Sequence, residues 1–60
     1  MMNRIGKTYT LKNGYGVCKA SLYDGIETQY FWVVIAPDNT IKCGNIGSYE
    51  KAYTIAKSLG

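Results

Sequence analysis

Apolar and polar residues alternate along most of the chain between residues 7 and 43, as they do in β-strands that bury one face. Four segments carry this two-residue period: residues 7–12, 15–23, 26–35 and 40–43. Two dipeptides that tolerate positive φ, Asn13-Gly14 and Asp24-Gly25, separate the first three segments. Residues 36–39 place Pro and Asp at turn positions before the fourth. The pattern predicts an antiparallel meander of three to four strands.

The period changes in residues 48–59, where apolar residues recur three or four positions apart. Ser48 is a good helix N-cap, because its hydroxyl can accept a hydrogen bond from a free backbone N–H. Glu50 in the first turn and Lys57 in the last complement the helix dipole, and Gly60 can end the helix. The apolar face predicted for this helix consists of Tyr49, Ala52, Tyr53, Ile55, Ala56 and Leu59.

These elements predict one α+β domain of ββββα order, with the C-terminal α-helix packed on one face of the sheet. A chain of 60 residues allows a single domain with a thin core. We expect an N-terminal arm at residues 1–6, the sheet at residues 7–43 and the helix at residues 48–59.

The two predicted turns imply a register and therefore two sheet faces. With two-residue loops, Tyr23 lies opposite Ile26 and Lys12 opposite Tyr15. One face contains Gly16, Cys18 and Ala20, whose small side chains would let a helix approach closely, and we place the helix there. The other face is then left open and contains Tyr15, Val17, Lys19, Tyr23, Tyr30, Trp32 and Val34.

An open face of aromatic and aliphatic residues is typical of an interaction site. The sequence therefore predicts a small non-enzymatic binding protein that docks these residues onto a macromolecular partner, first of all a protein. Two other readings stay open: the arm with Met1, Met2 and Ile5 covers part of the face, or the chain forms a homodimer or larger homo-oligomer through it.

The charge balance makes nucleic acid the alternative partner for the same face. Seven Lys and Arg residues against four Asp and Glu give a net charge of +3. Arg4 is the single arginine, whereas readers of base edges usually rely on the two-pronged guanidinium group. The lysines that would contact phosphates are Lys7, Lys12, Lys19 and Lys42.

The composition argues against an enzyme, a metal site and a cofactor. The chain has no His, the commonest general base and metal ligand near neutral pH. Its carboxylates are scattered over turns, a strand and the helix start, so they form no acid–base pair. Cys18 and Cys43 fall on strands two apart, about 10 Å from each other, which is too far for a disulfide. We expect Cys18 to be buried and Cys43 to be less so.

The second half of the chain resembles in layout the AP2-type and integrase-arm DNA-binding domains, which join a three-stranded sheet to a C-terminal helix. The residues in matching places are Trp32, Gly47, Ser48, Glu50, Ala52 and Tyr53. The resemblance implies that the open sheet face enters the DNA major groove, with Lys19, Tyr30 and Trp32 at the contact. Sheets of that family are rich in Arg, and residues 7–43 contain none.

The start of the chain has no secretory apolar segment, and no run is long enough to cross a bilayer. We therefore expect a cytoplasmic protein with reduced thiols and no membrane association. Its small size and its Lys, Asn, Ile and Tyr content are typical of phage or mobile-element products. The corresponding hypothesis is a modulator or inhibitor of a host protein, acting in the host cytoplasm.

Overall fold

The computed structural model describes residues 2–59 and shows four β-strands followed by one α-helix. Their bounds are β1 Met2–Thr10, β2 Gly16–Tyr23, β3 Thr28–Ile35, β4 Ile41–Ile46 and α1 Tyr49–Leu59. The strands form one antiparallel sheet in the order β1-β2-β3-β4, and α1 packs on it. The predicted ββββα fold of the α+β class is therefore confirmed.

Two boundaries differ from the prediction. Residues 2–6, predicted as an arm, form the first half of β1 and pair with β2 from Met2 to Ile5. Strand β4 continues through the predicted break to Ile46, which is buried, although Asn45 has a positive φ of 57°. Met1 and Gly60, predicted as the start of the arm and the end of the helix, lie outside the described residues.

The start of α1 matches the prediction in detail. The Ser48 hydroxyl accepts a hydrogen bond from the backbone N–H of Lys51 at 3.3 Å, which is the geometry of an N-cap. Ala52 and Ala56 are fully buried, and Ile55 and Leu59 are partly buried against the same core. Four of the six residues of the predicted helix face thus contact the core, whereas Tyr49 and Tyr53 are exposed.

The helix lies on the opposite sheet face from the one we predicted. Ala52 and Ala56 form a cluster with Val17, Val34 and Ile46, and Tyr15 and Trp32 pack against that cluster. We placed the helix on the face with the small β2 residues because small side chains let a helix approach closely. In the structure the helix itself supplies them, since its two alanines meet two β-branched valines. A close contact between helix and sheet needs small side chains on only one of the two elements. Both α1 and β2 carry small side chains, so their presence on β2 did not identify the face.

The middle of the second sheet face is buried although no helix covers it. Cys18, Ala20 and Val33 are fully buried there, and Phe31 packs against them. Arg4 lies opposite Ala20 in the register and therefore extends on this face. Its guanidinium group donates hydrogen bonds to the side-chain and main-chain oxygens of Asn39, at 3.0 and 3.1 Å. Small side chains thus line the middle of this face, and the Arg4–Asn39 hydrogen bonds connect β1 to the β3–β4 turn on the same side of the sheet.

The first turn sets the register of β1 and differs from the prediction. The backbone N–H of Leu11 donates to Tyr15 O at 2.7 Å, and that of Gly14 donates to Leu11 O at 3.1 Å. The loop therefore has three residues, 12–14, instead of two. One extra loop residue reverses the faces of the strand, so Tyr9 lies opposite Val17, on the helix side.

The second turn is also shifted, but without consequence for the faces. Tyr23 pairs with Thr28 instead of Ile26, so Gly25 and Ile26 are the central residues of the turn. The Asp24 side chain stabilises it by accepting hydrogen bonds from the N–H groups of Ile26 and Glu27, both at 2.9 Å. Because the shift is two residues, Lys19 and Tyr30 still share a face, as predicted.

We expect Gly14→Ala to cost more stability than Gly25→Ala. Both glycines have positive φ, 91° and 96°, where an L-residue is strained by about 1–2 kcal/mol. A Cβ on Gly14 would also lie 3.1 Å from Pro37 Cγ, whereas one on Gly25 would meet nothing within 4 Å. Urea denaturation of the two variants measures the difference in the free energy of unfolding. Equal losses would contradict the packing of the first turn against Pro37.

Candidate binding surfaces

The sheet is longer than the helix and extends beyond its start. The Trp32 ring contacts Tyr49, the first residue of α1, with ring centroids 5.3 Å apart. The other end of α1 is held to the first turn, since the Asn13 side chain donates to Ala56 O at 2.9 Å. The helix therefore runs from the level of Trp32 to the β1–β2 turn and leaves the opposite end of the sheet uncovered.

Apolar and aromatic side chains are exposed on this uncovered end. Tyr30 is 62% exposed, and Ile26 at the tip of the turn is 90% exposed. The Lys19 ammonium lies 5.4 Å from the centroid of the Tyr30 ring, within cation–π range. We call this surface the distal patch and define it by Ile5, Lys19, Tyr23, Ile26 and Tyr30.

The distal patch carries charges of both signs. Lys19 lies within it, and Asp24 and Glu27 flank Ile26 in the adjoining turn. Hydrogen bonds from the backbone N–H groups of Glu27 and Ile26 hold the pKa of Asp24 below its usual value. Asp24 is therefore ionised at neutral pH and places a negative charge in the turn beside the patch.

The seven residues that we predicted to form one open face are not all exposed in the structure. Lys19, Tyr23 and Tyr30 are exposed, as predicted. Val17 and Val34 are fully buried under α1, so the prediction that they are exposed is wrong. The two remaining residues of the set, Tyr15 and Trp32, are partly buried against the helix core.

A second surface lies between α1 and β1. The helix packs over β2, β3 and β4 and leaves an open groove of about 640 Å³ along β1. Tyr9 forms one wall and Tyr53 the other, and both rings are close to 40% exposed or more. We call it the tyrosine groove. Its lining residues are Tyr9, Thr10, Leu11, Lys12, Asn13, Tyr49, Tyr53 and Lys57.

Aromatic contacts and one side-chain amide hold the shape of the tyrosine groove. The Tyr49 ring meets Tyr9 edge to face at a centroid distance of 5.7 Å and Tyr53 at 6.0 Å. At the closed end, Asn13 joins the first turn to Ala56 and also accepts a hydrogen bond from the N–H of Tyr15 at 3.0 Å. The walls are therefore positioned by contacts within the fold itself.

The groove is positively charged. Lys12 and Lys57 line it, and the Lys7 ammonium lies 5.9 Å from the Tyr9 ring centroid. None of its lining residues within the described chain is acidic. Glu50 lines a separate surface of the helix together with Lys51. The groove thus combines exposed rings with cations that have no carboxylate beside them.

The four lysines predicted to contact phosphates do not share one surface. Lys7 and Lys12 lie at the tyrosine groove, Lys19 lies in the distal patch and Lys42 lies on β4. Lys57 was not among the predicted phosphate contacts, and Tyr49 and Tyr53 were predicted as members of the apolar helix face. A spacing of four residues joins Tyr49, Tyr53 and Lys57 into one helix stripe beside the buried alanines, and this signal could have identified the wall.

The two thiols are free and lie on opposite faces of the sheet. Cys18 is buried, as predicted, but on the face that the helix does not cover, and Cys43 is partly buried against the helix core. Among residues 2–59 there is no group of three or more His, Cys, Asp or Glu residues that could hold a metal ion. The described helix is also too short to span a membrane.

Comparison with protein-family models, curated proteins and solved structures finds no match to this chain. No match to a family or to a solved structure therefore supports the predicted resemblance to the AP2-type and integrase-arm domains. The open face implied by that resemblance is also only partly exposed, because Trp32 contacts α1.

Proposed function

We propose that this chain is a non-enzymatic binding protein that docks its distal patch onto a protein partner. The observation that carries the proposal is the exposure of Tyr30, Tyr23 and Ile26 together on a sheet end that no other element of the described chain covers. Tyrosine is enriched at the centres of protein interfaces and at their energetic hot spots. Modulation or inhibition of the partner is the corresponding role.

The charges of the distal patch favour protein over nucleic acid. Asp24 and Glu27 lie in the turn beside the patch, where they would repel a phosphate backbone. A protein surface can match both signs, with basic groups facing the turn and acidic groups facing Lys19. Docking there leaves α1 and the tyrosine groove free.

Capture experiments with surface variants test the distal patch. We expect Tyr30→Ala to weaken binding of a captured and purified partner by about 30-fold or more, as for a hot spot of at least 2 kcal/mol. Tyr53→Ala, an exposed tyrosine outside the patch, is the matched control and should retain binding. Trp32→Ala is unsuitable as a test because Trp32 also supports the helix.

Binding that survives in Tyr30→Ala but not in Tyr53→Ala would refute docking through the distal patch. The solution mass of the wild-type chain is measured alongside. A dimer that Tyr30→Ala converts to a monomer would show that the patch binds a second copy instead of a different protein.

A further inference from the structure

We propose that the tyrosine groove is a binding site for single-stranded nucleic acid. This inference uses a surface separate from the distal patch and does not depend on the function proposed for that patch. It rests on three features that coincide in one place: a groove, exposed aromatic rings on both walls, and lysines without acidic neighbours among the lining residues.

The exposed rings suit unpaired bases. Tyr9 is 46% exposed and Tyr53 is 40% exposed, and they face the groove from β1 and from α1. Every base has a π-face that stacks on an aromatic side chain, so such a site accepts many sequences. Bases inside a duplex are already stacked on each other and cannot enter. The geometry therefore selects single strands over duplex.

The lysines suit the phosphates of the same strand. Lys12 and Lys57 stand on the two walls near the Asn13 end, and Lys7 lies beside Tyr9. An ammonium group is a point charge that contacts phosphate, and it lacks the planar pair of donors with which arginine reads a guanine edge. The single arginine, Arg4, is bonded to Asn39 on the second face. The affinity should accordingly depend on salt concentration, and the site should accept many nucleotide sequences.

An acidic peptide is the competing occupant, because its carboxylates could also pair with the lysines. The lining of the groove favours nucleic acid, because the ligand has to contact exposed ring faces as well as cations. Tyr49 is in contact with Tyr9, Tyr53 and Trp32, and the exposed surface of Tyr9 and Tyr53 on the two walls remains available to a ligand. Alternating bases and phosphates provide a flat partner for each ring and a charge for each lysine.

Fluorescence anisotropy with the full chain tests the inference. The probes are a labelled oligothymidylate, the same length of duplex DNA and an oligoglutamate peptide, each titrated over a range of salt concentrations. We expect the single strand to bind most tightly. With up to three lysines engaged, log K should fall with log salt with a slope of about −2, at about 0.7 per phosphate contact on a single strand.

Matched variants separate the groove from general charge. Lys57→Ala should make the salt slope shallower by about 0.7, while Lys51→Ala, the same charge change elsewhere on the helix, should leave the slope unchanged. Tyr53→Ala should weaken binding by about 5- to 150-fold, the loss of one stacked base. Tyr53→Phe keeps the ring and should bind like the wild type, and far-UV circular dichroism of Tyr53→Ala checks that this variant remains folded.

Three results would overturn the inference. One is the absence of oligothymidylate binding at low salt. Another is an equal effect of Lys51→Ala and Lys57→Ala, which would indicate attraction to the whole molecule instead of the groove. The third is tighter binding of the oligoglutamate peptide, which would assign the groove to an acidic protein partner.

Discussion

Replacing Trp32 by Ala is expected to lower the free energy of unfolding by about 2–4 kcal/mol. Trp32 is partly buried, packs against the Val17 and Val34 cluster and contacts the Tyr49 ring. Truncation of a fully buried aromatic residue costs about 3–5 kcal/mol, and partial exposure reduces that figure. A domain of this size rarely has more than about 3–5 kcal/mol in total, so the variant loses most of its stability.

Tyr30→Ala is the matched control for Trp32→Ala. Tyr30 is two residues away on the same strand and the same face, but it lies beyond the start of the helix and is largely exposed. Its replacement should change stability by about 0.5 kcal/mol or less. Urea denaturation of both variants, followed by circular dichroism, gives the comparison. Equal losses, or a larger loss for Tyr30, would show that α1 does not begin at the level of Trp32.

Introducing a carboxylate at Ala52 is expected to unfold the domain. Ala52 is fully buried between α1 and the sheet, within the cluster that contains Val17 and Val34. An uncompensated buried charge costs about 3–5 kcal/mol, and the longer side chain adds a packing penalty. The sum of these exceeds what a domain of this size can lose. Far-UV circular dichroism of Ala52→Glu should show loss of the native spectrum at 25 °C.

Thr54→Glu introduces the same charge on the exposed side of the same helix. It removes the hydrogen bond that the Thr54 hydroxyl donates to Glu50 O and places two carboxylates four residues apart. Such a like-charge pair costs about 0.2–0.5 kcal/mol, so this variant should remain folded. If Ala52→Glu were as stable as Thr54→Glu, the packing of α1 through its alanines would be refuted.

Local signals were sufficient for the elements and for their order. The two-residue period predicted the strands, and Ser48, Glu50 and the apolar spacing predicted α1. Strand periodicity and helix capping depend on residue types within a short segment, so they can be predicted from the sequence alone. The first half of β1 was missed because residues 2–6 lack the alternation, and pairing with β2 holds them in the sheet instead.

The sequence predicted part of one candidate surface and none of the other, because both surfaces depend on which side of the sheet the helix occupies. Lys19, Tyr23 and Tyr30 were identified from alternation, since the two-residue shift in the second turn preserves their face. The tyrosine groove was not identified. Its walls come from Tyr9 on β1 and Tyr53 on α1, which are far apart in the chain.

The sequence by itself determined four strands, one helix and the helix face that is buried, because these follow from periodicity and capping within short segments. Only the tertiary structure decided the sheet face on which that helix lies. Both faces offer residues that a helix could cover, and the choice rests on how Ala52 and Ala56 fit against Val17 and Val34. That fit is a packing energy between distant segments, and it leaves Tyr30 exposed while Trp32 supports the core.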